Sequence, residues 1–251
     1  MSVNNFLASF AKRPSKPEKK ADLTPEARDT IQKHFPGAKI VPSGANVYIR
    51  IQCKEGQVLL TLKADELYLS QLYKCSGRSG TEMLRTIVQL ATDLRLQRVT
   101  LVDASSIYVP STTYHQQECH LPLAPLSIFI YGESWYQRQG FTAPSDEEDR
   151  KHNERIRQVP FQRTIMDVTD EWKEAFPDSP SLSIPAAEMW KWVNDTYLRP
   201  DALPCDWRVA FLRKLLEHAP LQYTIQRSYS IRQSGGKRTK RTKTQKNTRR
   251  Q

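Results

Sequence analysis

The sequence predicts an α/β protein built on a mixed sheet, followed by a C-terminal extension that is mostly helical. Three observations predict it. Apolar residues alternate with period two between residues 47 and 74, and a wide apolar stripe at helical spacing runs from Met83 to Leu94. A short strand pattern then returns at residues 98–103. Strand, glycine turn, helix and strand across 66–103 make a βαβ unit, which sets its two strands parallel and side by side.

The elements follow in chain order. Residues 1–22 are polar and basic, with Pro14 and Pro17, and read as a flexible lead. Thr24 followed by Pro25 is a helix start, Ile31 and Phe35 give that helix one apolar face, and Pro36-Gly37 stop it. Val47, Ile49 and Ile51 alternate with polar partners. After the Glu55-Gly56 turn, Val58, Leu60 and Leu62 alternate with partly apolar partners. The third strand, from Leu67 to Lys74, is apolar on both faces and should be central. Residues 76–80 form a glycine-containing turn into the helix of Met83, Leu84, Ile87, Leu90 and Leu94, and Arg98–Asp103 is the next strand.

Residues 104–126 read as irregular. Residues 127–140 read as a helix ending at Gly140, with a strand over 127–131 as the alternative. The charged run from Thr142 to Arg157 reads as a linker or an exposed helix start. Helices are expected over 185–198 and 206–218, packed on the first part through Trp190 and Trp207, and residues 221–231 alternate like a last strand. The expected organisation is a lead (1–22), a sheet domain (23–145), a helical extension with a final strand (146–231) and a basic tail (232–251).

Charge is concentrated at the ends. The net charge is +11, but Gly235–Gln251 carries eight Lys or Arg and no acid, and residues 1–20 carry +4, so the body is near neutral. Lys237, Arg238, Lys240, Arg241 and Lys243 form a non-specific polyanion ligand by counterion release. The tail has no aromatics on which bases could stack. A nuclear targeting signal and a merely solvated tail are the other readings.

Cys53, Cys75, Cys119 and Cys205 show no zinc or dithiol spacing and are expected to be reduced. Residues 1–13 lack the apolar run of a signal peptide, and nothing approaches the ~20 apolar residues of a membrane span. An intracellular protein, cytoplasmic or nuclear, with no membrane partner is expected. His115 and His120 flank Cys119, too few ligands for a metal site, and none is expected.

The chemistry concentrates in two places. Lys74-Cys75-Ser76-Gly77-Arg78-Ser79, then Gly80 and Thr81, leads from a central strand into a helix. A helix N-terminus offers unpaired amides and the positive end of a dipole, and glycines let that backbone approach a pyrophosphate. Further on, Tyr136-Gln137-Arg138-Gln139-Gly140-Phe141 places a tyrosine ahead of Gly-Phe. This order of elements, with these two motifs, resembles the GNAT superfamily of acyl-CoA-dependent N-acetyltransferases over residues 23–145. Lys74 stands where the family has Gln or Arg, and Ser79 where it has a small Gly or Ala.

The resemblance implies a GNAT-like fold with acetyl-CoA held by Leu72, Tyr73, Lys74, Gly77, Arg78, Ser79, Gly80 and Thr81. It makes Tyr136 the acid that protonates the departing thiolate. Asp103 and Glu133 become candidates for the base, beside Glu66, His115 and His120. The 33 positions from Asp103 to Tyr136 exceed the family's usual separation and should lie over the sheet's open end, as an acceptor pocket or a plug. The tail and the SWYQRQGF region also resemble acetyltransferase-like proteins of large DNA viruses. The expected function is acetyl transfer to an amine that the sequence does not name. The alternative is a non-catalytic structural or virion-associated protein that holds nucleic acid through its basic ends.

Overall fold

The computed structural model describes residues 23–54, 56–72, 77–109, 119–198 and 205–231. The basic lead and tail, Tyr73 and Lys74 of the cofactor motif, and His115 therefore lie outside the described residues.

Helix α1 (Pro25–His34) starts as its sequence dictates, with Thr24 Oγ1 accepting from the Ala27 amide and Phe35 closing its last turn. A six-stranded mixed sheet follows, in the order β1-β2-β3-β4-β5-β8. Its strands are β1 (Lys39–Ser43), β2 (Asn46–Gln52), β3 (Gln57–Leu62), β4 (Glu66–Leu72), β5 (Arg98–Val102) and β8 (Gln226–Ser230). β1 to β4 form an antiparallel meander, β4 and β5 are parallel through the crossover helix α2 (Gly80–Asp93), and β8 is antiparallel to β5. The sequence reading missed β1. Its residues are mostly exposed and it contains Pro42, a combination tolerated at a sheet edge that hides the alternation.

One face of the sheet is the apolar core. Ile49, Leu60, Leu69 and Leu101 stand in register across β2, β3, β4 and β5, and α2 covers them with Met83, Leu84, Ile87, Leu90 and Ala91. The opposite face of β4 is not buried as its apolar pattern suggested: Tyr68 is half-buried and Ser70 exposed.

Residues 104–126, read as irregular, hold a small hairpin of β6 (Ser106–Tyr108) and β7 (His120–Pro122) and the start of α3 (Leu123–Tyr131). Leu123–Tyr131 is apolar nearly all round because the helix is buried on most sides, which is why periodicity did not find its start. Gly132 ends it in the left-handed region (φ 83°), with Arg157 donating to the Phe129 and Ile130 carbonyls. A separate turn, α4 (Trp135–Arg138), carries Tyr136.

The charged run becomes α5 (Asp146–Gln158). It is followed by α6 (Phe161–Thr164), a 3-10 turn (Met166–Val168), α7 (Thr169–Ala175), α8 (Ala186–Thr196) and α9 (Trp207–Glu217). With α3 these helices enclose a second core around Phe129, Phe161, Trp172, Phe176 and Trp190. Trp190 sits in that core rather than against the sheet, and Trp207, expected to pack, is 44% exposed. The extension returns to the sheet all the same, because β8 pairs along the whole of β5.

Candidate active site

β4 and β5 pair only as far as Leu69 and Leu101. β4 continues to Leu72 along β3, but with an extra residue, because Leu60 pairs with Leu69 and Leu59 with Gln71. Ser70 is therefore a bulge. A bulge bends its strand and increases its twist, and the parallel ladder stops at this point, at the end of the sheet from which the loop to α2 departs.

Past this opening, Gly77 has φ 73°, a conformation open to glycine and strained for other residues. Ser79 is the N-cap of α2. Its hydroxyl accepts from the Glu82 amide, while its own amide donates to Glu82 Oε2 at 2.7 Å. The Ser79 amide and hydroxyl, with help from Arg78 and Arg85, hold the Glu82 carboxyl below its ordinary range. The place expected to hold a pyrophosphate thus already carries a carboxylate. The Trp135 ring lies 3.5 Å from where a Cβ on Gly80 would stand, so the indole covers one side of the first turn. Leu72 packs on the sheet core, Gly77, Arg78 and Ser79 are exposed, and Thr81 is half-buried.

Tyr136 is 6% exposed. Its ring meets Trp135 edge-on at 4.7 Å and Phe141 at 5.8 Å, and Phe141 in turn meets Tyr229 of β8 at 5.4 Å. Burial first, and then the charge of Asp103, push its phenol pKa upward.

Asp103 extends the β5–β8 ladder by one step, its amide donating to the Ile225 carbonyl. Its carboxylate accepts from Ser105 Oγ at 2.7 Å through Oδ1, and Oδ2 lies 3.7 Å from Arg227 Nε. Arg227 is itself wholly buried and donates through Nη1 to Asp146 at 2.7 Å. Asp146 also accepts from Gln137 and from the Ala143 amide. Asp103, expected as a base, is therefore the inner carboxylate of an Asp–Arg–Asp series, buried at Asp103 and Arg227 and half-buried at Asp146, that joins β5, β8 and α5. Glu133 sits half-buried in the turn between α3 and α4, where its backbone carbonyl accepts from Ser127 Oγ. It is not among the residues that line the cavity described next.

A cavity of about 280 Å3 opens at the end of β5, where the sheet, the β6–β7 hairpin and α9 meet. Asp103, Ser105, His120, Glu217 and Tyr223 bring polar groups to it. His120 Nδ1 lies 3.3 Å from Ser106 Oγ, and its ring is 5.1 Å from that of Tyr108. Burial, then Asp103, raises the Tyr223 phenol pKa. The long segment between Asp103 and Tyr136 thus builds a cavity wall, and it brings His120 to the same cavity as Asp103. Sequence reasoning missed Arg227, Glu82 and Trp135 as site residues. A charged residue at an inward-facing position of the last strand was the available signal for Arg227, and Ser79 three residues before Glu82 was the capping signal for Glu82.

The expectation of reduced thiols is corrected. Cys119 and Cys205 form a disulfide with their Cα atoms 5.5 Å apart, buried in the second core, and Cys53 is disulfide-bonded as well. A separation of 86 residues leaves no spacing signal, because the two meet only through the tertiary fold. Disulfides persist in oxidising surroundings, so the cysteines do not argue for a reducing compartment. Among the described residues no helix is long and apolar enough to cross a membrane, and no group of His, Cys, Asp and Glu is placed to hold a metal ion. Compared with family models, curated proteins and solved structures, the chain matches none of them.

Proposed function

We propose that the chain is an acyltransferase of the GNAT type, which binds acetyl-CoA where β4 and β5 part and passes the acyl group to an amine in the cavity at the end of β5. The observation that carries this reading is the parting itself. A parallel pair that separates after Leu69 and Leu101, with a bulge at Ser70, leaves backbone groups of β4 without a partner on β5. An extended ligand with amide groups, such as the pantetheine arm of CoA, can pair with such an edge as an added strand does. The turn from Gly77 to Thr81 then lies at the phosphate end, with Arg78 beside it.

The step is an aminolysis of a thioester. The amine loses a proton to a base, its nitrogen bonds to the acyl carbon, the C–S bond breaks, and the thiolate takes a proton. His120 is the best-placed base because its imidazole lines the cavity. Tyr136 is protonated at neutral pH and serves as the donor, though burial makes it a reluctant one. Asp103 acts through its charge on the cavity wall, with Arg227 as its counter-ion.

A second reading, a non-catalytic member of the same fold class, is favoured by two contacts: Glu82 on the α2 N-terminus and Trp135 on Gly80. Thermal melting with acetyl-CoA and CoA separates the readings. A ligand at a hundredfold over its Kd stabilises by ~2.7 kcal/mol. A rise in Tm with both ligands, and slow acetyl-CoA hydrolysis above background, supports the transferase. A rise without hydrolysis supports the second reading, and no rise overturns CoA binding altogether.

A further inference from the structure

The sheet face opposite the core is not covered by the helices that build that core. Every sheet residue in the core cluster belongs to one side of the strands. On the other side the register lines up Val41, Tyr48, Thr61, Tyr68 and Thr100 in one row across β1, β2, β3, β4 and β5. Val41 is 56% and Tyr48 46% exposed, Tyr68 and Thr100 are half-buried, and Thr61, between the two tyrosines, is 7% exposed. A parallel row on the same face holds Lys39, Arg50, Leu59 and Gln71, and on the other flank Glu66 pairs with Arg98.

The charge on this face is one-sided. Lys39, Arg50, Lys63 and Arg98 surround the tyrosines, and Glu66 is the one acid in these rows, shared by Lys63 at 2.7 Å and Arg98 at 3.0 Å. Lys63 also lies over the Tyr68 ring, 4.8 Å from its centre. Two tyrosines separated by one strand stand about 9.5 Å apart, given the usual strand spacing. Cations at the edges and aromatic rings between them suit a polyanion whose flat groups can leave their own stack. A duplex keeps its bases stacked and offers this face only phosphates. An apolar peptide or helix would cover Lys39 and Arg50 and offer no acid to either, and would bury the Lys63–Glu66–Arg98 group, which keeps one positive charge in excess.

We propose that this open sheet face binds single-stranded nucleic acid, with bases stacking on Tyr48 and Tyr68 and phosphates held by Lys39, Arg50, Lys63 and Arg98. The site is separate from the acyl-transfer cleft and does not depend on it. It supplies the stacking groups that the basic tail lacks.

The test uses the full chain and a fluorescein-labelled oligo-dT, with a duplex of equal length as comparison. At raised salt the counterion-release contribution of the basic ends falls away, while stacking remains. The Tyr48→Ala and Tyr68→Ala variants should each weaken single-strand binding by roughly 5- to 150-fold, the equivalent of ~1–3 kcal/mol per stacked base. Tyr48→Phe should retain binding, and duplex binding should not change. Arg50→Gln should lower the salt slope by ~0.7, the single-strand value for one phosphate contact. Should Tyr68→Ala fail to fold, Tyr48→Ala and photocrosslinking of a bromouracil oligonucleotide to the unaltered chain still decide. Crosslinks at Tyr48 or Tyr68 support the platform. Crosslinks confined to residues 1–22 or 232–251, equal loss for single strand and duplex, or a self-associated dimer that shields Tyr48 and ignores the oligonucleotide would each overturn it.

Discussion

Asp103 and Arg227 face one another at the β5–β8 edge with both side chains fully buried, Oδ2 lying 3.7 Å from Nε. Among the described residues, neither Asp103 Oδ2 nor Arg227 Nε and Nη2 has a hydrogen-bond partner. Nε is the guanidinium atom that faces Asp103, at a distance longer than a hydrogen bond, so the two residues form a buried ion pair without a direct hydrogen bond. Removing one member of a buried pair leaves an uncompensated charge and costs about 3–5 kcal/mol. Arg227→Met should therefore destabilise the fold by that order in urea unfolding. Asp103→Asn combined with Arg227→Met should cost less than the sum of the single changes. Strict additivity would mean that the pair does not couple and that Asp103 is free for catalysis.

Glu82 gives a second, independent test. Its carboxylate occupies the N-terminus of α2, where a pyrophosphate is proposed to bind, and two anions cannot share the site without repulsion. Glu82→Gln keeps the shape of the capping box and removes the charge. It should tighten CoA binding several-fold by calorimetry and lower stability by no more than ~1 kcal/mol, the usual worth of a cap. Gly77→Glu should do the reverse to CoA, adding both a Cβ at positive φ and a negative charge. CoA affinity indifferent to both changes would place the ligand elsewhere.

The Cys119–Cys205 disulfide closes a long loop and joins the β6–β7 hairpin to the start of α9. Crosslinks of this length stabilise by roughly 2–5 kcal/mol. Cys119→Ser with Cys205→Ser, or reduction of the intact chain, should lower Tm by several degrees. The cavity should loosen with it, because His120 directly follows Cys119. An unaltered melting curve after complete reduction, verified by thiol counting, would show that the bridge is not structural.

Much of the sheet was legible because its signals are local. Thr24-Pro25 opens α1, the glycine turn at residues 76–80 leads into α2, and the alternation in β2, β3 and β4 survives in their burial. The βαβ unit needed only the order of its parts. What sequence could not supply was tertiary. β1 is an exposed edge, α3 is buried on nearly every side, and Cys119 meets Cys205 across the second core. The candidate site divides the same way. Tyr136 and Asp103 were singled out as candidates by position along the chain. The groups that decide their chemistry, Arg227 and Trp135, reach them from the last strand and from a one-turn helix.

Tyr136 separates the two proposed functions, and its environment fixes the sign of a pH effect. Burial, with Asp103 nearby, raises the phenol pKa in the folded state above its unfolded value of ~10. The folded protein therefore holds this proton where the unfolded chain has begun to lose it. The associated stability is complete below pH ~10 and is lost as pH rises toward the folded value. Spectrophotometric titration should show one phenol fewer ionising below the alkaline unfolding transition in the native chain than in denaturant. That difference should vanish in Tyr136→Phe. The same variant keeps the ring that packs on Trp135 and Phe141, so CoA affinity and fold should hold. If Tyr136 protonates the thiolate, turnover should fall by ~10²–10⁴-fold, the range for a lost general acid, with binding unchanged, as expected for a contact made in the transition state. If the fold is a non-catalytic member of its class, Tyr136→Phe should change neither CoA binding nor background hydrolysis. Its effect on stability would then stay within ~1 kcal/mol, the worth of one hydrogen bond. An unchanged turnover in an active enzyme would remove Tyr136 from the mechanism and leave it as packing for β8.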